Sequence, residues 1–357
     1  MQRRILTLLL VFISVLAFSQ ADTTSKNRFF AYPVGFYSPE TKLGFGFAGS
    51  YSFRFNEEKA TTFPSQITFG AAYTTNGQIL LYMPFRIYAF DEKFLAYGEA
   101  GYYRYTYNFY GIGNDVPWNY TESYRTSFTR IRLNLLYKLS KAIYAGPRIW
   151  YENQSISRIQ NQGLLDTANI SGAKGSNTPG FGLSVNIDTR NNLFYPTKGW
   201  FAELAIQTFQ KSLGSTQVWS RYLADISHYE SVGKRGVFAF NGLLDFSFGD
   251  PPFNLMAALG GTKRMRGYYE GRFRDLKSLL YQAEYRNIIK GRFGYSVFGS
   301  LGAISRDIRG FKDSPLRYAA GAGLRFRIDR KEKLNLRLDV AFGESSSALY
   351  FTVGEAF

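Results

Sequence analysis

The chain has 357 residues, 45% of them hydrophobic and 18% aromatic, with 43 Lys and Arg against 27 Asp and Glu, a formal net charge of +16 and no cysteine. The absence of cysteine excludes a disulfide scaffold, a thiolate metal site and a thiol nucleophile. Such a basic balance would suit nucleic acid, but the charge is spread along the chain and the chain opens on an export signal, so no nucleic-acid partner is expected.

Arg3 and Arg4 precede an apolar run from Ile5 to Phe18, with small residues at Ala17 and Ser19. This is the layout of a secretory signal peptide over residues 1–19, cleaved after Ser19. The run falls short of the roughly 20 residues a membrane-spanning helix needs. No later segment holds a long uninterrupted apolar run, so the hydrophobic residues must be arranged otherwise. A short segment, 20–30, leads to what the pattern predicts as a barrel over 31–357.

That pattern is strict alternation. Leu334, Leu336, Leu338, Val340 and Phe342 interleave with Asn335, Arg337, Asp339 and Ala341; Ile131, Leu133 and Leu135 interleave with Arg130, Arg132 and Asn134. A period of two predicts strands. Runs lie near 31–38, 42–56, 65–75, 78–90, 94–108, 124–140, 142–157, 178–190, 199–210, 218–231, 236–248, 277–289, 292–304, 316–329, 333–343 and 347–357. Many are near ten residues long, the length of a tilted strand crossing a bilayer with its apolar face toward lipid and its polar face toward a wet lumen. The fold class is therefore all-β, a sixteen-stranded antiparallel transmembrane β-barrel. The aromatics Tyr102, Tyr103, Tyr105, Tyr107, Phe109 and Tyr110 are expected in an interfacial girdle.

Tight connections such as Thr75–Gly77 and Lys331–Lys333 are expected on the periplasmic side, and the long ones near 109–123, 158–177 and 249–276 outside. The last run ends in Phe357, with Leu349, Phe351 and Val353 on the same face; a terminal phenylalanine resembles the assembly signal of outer-membrane barrels. The first run holds Pro33 and Gly35. Proline cannot donate to a ladder and glycine adds slack, so the seam where first and last strands close, with Gly354 on its far side, should be short and weak.

The long segment 249–276 contains Leu259-Gly-Gly-Thr-Lys-Arg-Met-Arg-Gly-Tyr268, is followed by Tyr281-Gln-Ala-Glu-Tyr-Arg286, and stands after Asp188-Thr-Arg-Asn-Asn-Leu-Phe-Tyr-Pro-Thr-Lys-Gly199. On these motifs the chain resembles the BamA/TamA superfamily of outer-membrane barrels, the bacterial surface antigen family, in a form lacking POTRA domains. The resemblance implies that the loop after the eleventh strand folds into the lumen and carries Arg266, Gly267 and Tyr268 at its tip. It also implies that Glu284, inward by parity with Gln282 and Arg286, is the partner of Arg266. Relatives often place a second acid on the thirteenth strand where this chain has Ser300, so one charged partner and a hydroxyl are expected. Asp188, Arg190, Pro196 and Gly199 are read as the end of the eighth strand and its turn.

An enzyme is not expected. His228 is the lone histidine, its neighbours alternate away from it, and no phosphate loop or calcium spacing occurs; no cofactor or metal is expected. The inward arginines Arg130, Arg132, Arg325, Arg327 and Arg337 either make the lumen anion-preferring or pair with acids such as Asp339 and Glu284. The resemblance implies a role in outer-membrane protein or lipid biogenesis, with client outer-membrane proteins and a periplasmic or lipoprotein assembly factor as partners. A passive anion-preferring pore or structural barrel is the alternative. Outer-membrane lipids and lipopolysaccharide complete the expected partners, with Arg272 and Arg274 toward lipopolysaccharide phosphates.

Overall fold

The computed structural model describes residues 27–55, 58–59, 62–330 and 332–357, so the expected signal peptide lies outside the described residues. Sixteen strands follow one another around a closed antiparallel barrel. They are β1 (Arg28–Ser38), β2 (Lys42–Phe53), β3 (Ser65–Thr74), β4 (Ile79–Ala89), β5 (Phe94–Phe109), β6 (Glu122–Lys138), β7 (Ile143–Ser157) and β8 (Gly180–Asp188). The second half comprises β9 (Gly199–Phe209), β10 (Trp219–Val232), β11 (Gly236–Gly249), β12 (Lys277–Lys290), β13 (Phe293–Ser305), β14 (Arg317–Asp329), β15 (Leu334–Gly343) and β16 (Ser346–Val353). A two-residue strand, Ser176–Asn177, extends the sheet beside β7.

The alternation read from the sequence is the partition between lipid and lumen. On β15, Leu338, Val340 and Phe342 face outward, while Asn335, Arg337, Asp339 and Ala341 are buried inside. Satisfying every backbone group within a closed sheet is what lets such strands cross a bilayer.

Five expectations change. The first strand begins at Arg28, not Ala31. The last ends at Val353, because Gly354 adopts φ +86° and turns residues 354–357 into the lumen. There the Phe357 carbonyl accepts from Arg286 Nη2 at 2.9 Å, so Phe357 does not share the face of Leu349, Phe351 and Val353. The tight turn at 75–77 follows the third strand and so lies on the side of the long loops, not the periplasmic side. Finally, Tyr103, Tyr105 and Tyr107 do not form a girdle. They stack along the lumen wall, with centroids 6.2 and 4.8 Å apart, because they share one parity on β5 while Tyr102 points out.

Candidate functional site

The connection between β11 and β12 returns into the barrel. It enters and leaves through a short ladder, Ala257–Leu259 with Phe273–Asp275, and reverses through Gly260 and Gly261 at φ +110° and +96°. Leu259, Met265, Tyr268 and Phe273 pack with Leu243, Leu280 and Ile304 of the wall. Leu259 and Met265 are fully buried, each worth about 1.5–3 kcal/mol of transfer free energy.

Arg266 is 2% exposed. Its Nη2 donates to Glu284 Oε2, and its Nη1 donates to Asp339 Oδ2 at 2.6 Å. Its guanidinium lies 3.4 Å from the centroid of the Phe298 ring. Glu284 also accepts from Arg325 Nη2 at 2.8 Å and Arg286 Nε at 3.2 Å. Arg325 Nη1 donates to Asp339 Oδ1 at 2.6 Å, and Arg325 Nε donates to Glu355 Oε2 at 2.9 Å. Loop, wall and C-terminal tail thus meet in one buried charge network. Such a network persists only where nearly every charge has a partner.

The second acid comes from β15, as Asp339, and not from β13. Ser300 makes only a long bond to the Ala319 carbonyl and does not reach Arg266, so the expected hydroxyl partner is replaced by a carboxylate. Two further bonds hold the loop: Arg264 Nη1 donates to Asp245 at 3.1 Å, and the Met265 amide donates to Gln282 Oε1 at 3.1 Å.

Gly267 has φ +116°, and a Cβ there would stand 3.1 Å from the Phe342 carbonyl carbon, so the backbone approaches the wall as only glycine allows. The Gly267 amide donates to Tyr350 Oη at 3.1 Å, and Ser346 Oγ donates to the Gly267 carbonyl at 2.7 Å. Tyr268 Oη donates to the Tyr318 carbonyl at 2.7 Å and accepts from the Glu344 amide at 2.7 Å, with the ring seated over Gly343. Two residues on, the Glu270 amide donates to Glu40 Oε1 at 2.8 Å in the turn after β1. Residues 267–270 therefore bridge the outer ends of the last and first hairpins.

That bridge spans the seam. All eleven residues of β1 pair with β2, whereas among the described residues Tyr37 with Phe351 is the single ladder position between β1 and β16. Pro33 and Gly35 lie in the stretch of β1 that carries no pairing to β16. Glu40 is buried, and burial raises its carboxyl above the usual range. Glu270 is open to the lumen while the wall surrounds it; that enclosure, then the Glu40 carboxylate, pushes it up to about 7.

At the opposite mouth, Arg190 Nε and Nη2 donate to the two oxygens of Asp188 at 2.9 and 2.7 Å, with the guanidinium over Phe201. Gly199 has φ +102° beside the Thr189 carbonyl, and Pro196 is buried in the same connection. Its neighbour Tyr195 is also buried and lies under Arg327. The lumen arginines are largely matched with acids: Arg130 with Glu152 and Glu99, Arg132 with Glu99, and Arg325 and Arg337 with Asp339. That favours the paired reading over an anion-selective lining. Arg274 is buried against Phe109 and Phe253 and does not face lipopolysaccharide. His228 packs against Trp200 with the rings tilted by 32°, 4.1 Å between centroids.

Sequence reasoning missed Asp339 as the partner of Arg266, and it missed Tyr350, Glu40 and Glu355. Only Asp339 carried a signal, as an inward acid on an alternating strand.

The Omp85 superfamily domain matches residues 45–357. Among solved structures, BamA from Haemophilus ducreyi lacking POTRA domains 1–3 superposes with a TM-score of 0.61 at 11% identity, over 92% of this chain and 70% of that one. CdiB from Acinetobacter baumannii gives 0.58 at 11% identity, over 92% and 60%. CdiB from Escherichia coli gives 0.59 at 10%, over 93% and 64%, so this chain spans less than two thirds of either CdiB chain. At these identities the likeness is one of fold. No curated protein matches the chain significantly.

Proposed function

Since the chain belongs to the Omp85 superfamily and forms an outer-membrane barrel of that type, we propose that it inserts or translocates other proteins by opening its seam sideways between β1 and β16. The observation that carries this reading is the seam itself, with one ladder position closed over by a loop strap. Below Tyr37, β1 offers one edge with no ladder partner on β16, and such an edge accepts an added strand through its backbone groups. Passage straight down the lumen is obstructed by the returning loop and the charge network, so a client would leave sideways into lipid.

The test is reconstitution. Liposomes carrying the barrel should speed the folding of an added, unfolded outer-membrane barrel, read as the gain of its heat-modifiable band. Folding no faster than in empty liposomes would sink the proposal.

A further inference from the structure

On the side of the long loops, the connection between β5 and β6 leans over the returning loop and borders a half-open cavity of about 290 Å³. Gly267, Tyr268 and Tyr269 form one side, the turn Ser345–Ser347 a second, and Trp118 the third. Pro39 of the first hairpin completes the rim.

Arg272 stands in this cavity with its guanidinium 4.6 and 4.3 Å from the ring centroids of Tyr110 and Trp118, and Nη2 donates to the Trp118 carbonyl. Arg264 and Arg266 of the same loop are ion-paired; Arg272, among the described residues, has aromatic and backbone partners but no carboxylate. Trp118 keeps 37% of its surface open.

The lining selects a ligand class. The part of Trp118 left open, with the half-buried Tyr269, offers aromatic surface to the C–H face of a pyranose ring, and the exposed Ser345 and Ser347 offer hydroxyls to its hydroxyl groups, the Ser346 hydroxyl being bonded to Gly267. A stacked, pre-oriented guanidinium binds a carboxylate or phosphate through two parallel N–H donors. An acyl chain would give Arg272 no anionic partner and the Ser345 and Ser347 hydroxyls nothing to bond, and a bare anion would make no use of the aromatic wall. The volume lies just below the range of ordinary ligand pockets, roughly 300–1,000 Å³, so the site is sized for a single residue rather than a chain.

We propose that this cavity binds an acidic sugar residue, the chemistry shared by outer-leaflet glycolipids and free acidic glycans. Its lining belongs to both seam hairpins, through Pro39 and Ser345–Ser347, so a bound sugar joins their outer ends. The inference stands whichever clients pass the seam.

The full chain in detergent micelles is titrated with galacturonic acid, galactose and inorganic phosphate while tryptophan emission is followed; Trp118→Phe identifies the part of the signal that reports the cavity. Galacturonic acid should bind at least about tenfold more tightly than galactose, as a charge-assisted fork requires. That preference should vanish in Arg272→Gln and survive weakly in Arg272→Lys, both retaining the heat-modifiable band of a folded barrel. Equal binding of the two sugars, displacement by phosphate at the same concentration, or no change assignable to Trp118 would each overturn the site. An acidic-core glycolipid in nanodiscs and its deacylated glycan then compete against galacturonic acid. Either order of strength upholds the sugar site and tells the two sources apart, while failure of both overturns it.

Discussion

The Gly267 amide donates to the phenol oxygen of Tyr350 at 3.1 Å, and with the Ser346 hydroxyl bond to the Gly267 carbonyl it ties the returning loop to the last strand of the barrel. The same phenol donates to the Tyr268 carbonyl at 3.2 Å, so Tyr350 holds the backbone on both sides of the 267–268 dipeptide. Tyr350→Phe removes both bonds, leaves the ring, and strands a buried amide, at a cost of about 1–3 kcal/mol. Amide exchange of residues 266–270 should rise well above wild type while that of β6 and β7 does not change.

Removing Arg266 leaves Glu284 and Asp339 buried with fewer counter-charges. Arg266→Ala should cost about 3–5 kcal/mol in urea titrations of refolding, and added protease should cut residues 250–276 several times faster. Glu284→Gln and Asp339→Asn, each of which removes one carboxylate from Arg266, should both speed that cleavage, and to a similar degree. Ser300→Ala, which removes only a long bond to the Ala319 carbonyl, should cost no more than about 0.5–1.5 kcal/mol. A Ser300 effect as large as that of Asp339 would contradict the pairing.

Gly267→Ala tests the backbone. At φ +116°, with the Phe342 carbonyl carbon 3.1 Å from the new Cβ, the substitution adds strain of order 1–3 kcal/mol. The loop should detach as in Arg266→Ala although every charge is kept.

Glu270 gives the strap a pH dependence. An acid whose folded-state value lies above its unfolded one binds its proton more tightly when folded. The stability it contributes is present below 4.5 and is lost as pH climbs through about 7. Amide exchange at Glu270, corrected for intrinsic rate, should be slowest near about pH 5 and quicken toward about pH 8. Glu270→Gln should flatten that profile.

The sixteen strands were legible because their signal is local: alternation along ten residues reports one wall with lipid on one side and charge on the other. Tyr103, Tyr105 and Tyr107 were within the same reach, since their shared parity already set them apart from Tyr102. The partner of Arg266 was not. Whether Ser300 on β13 or Asp339 on β15 meets the arginine depends on where the loop tip crosses the lumen, and residue spacing does not encode that chord. The end of β16 was hidden for a related reason: Gly354 can continue a strand, and what bends it inward is the pull of Arg286 and Arg325, some 70 and 30 residues away in sequence, on Phe357 and Glu355.

A lateral route requires Tyr37 and Phe351 to part. The chain has no cysteine, so Tyr37→Cys with Phe351→Cys places a single reversible lock at the one ladder position of the seam. Client folding into liposomes should fall to the level of empty liposomes when the pair is oxidised and return on reduction. Equal client folding in the oxidised and reduced states, with the cross-link verified, would contradict it.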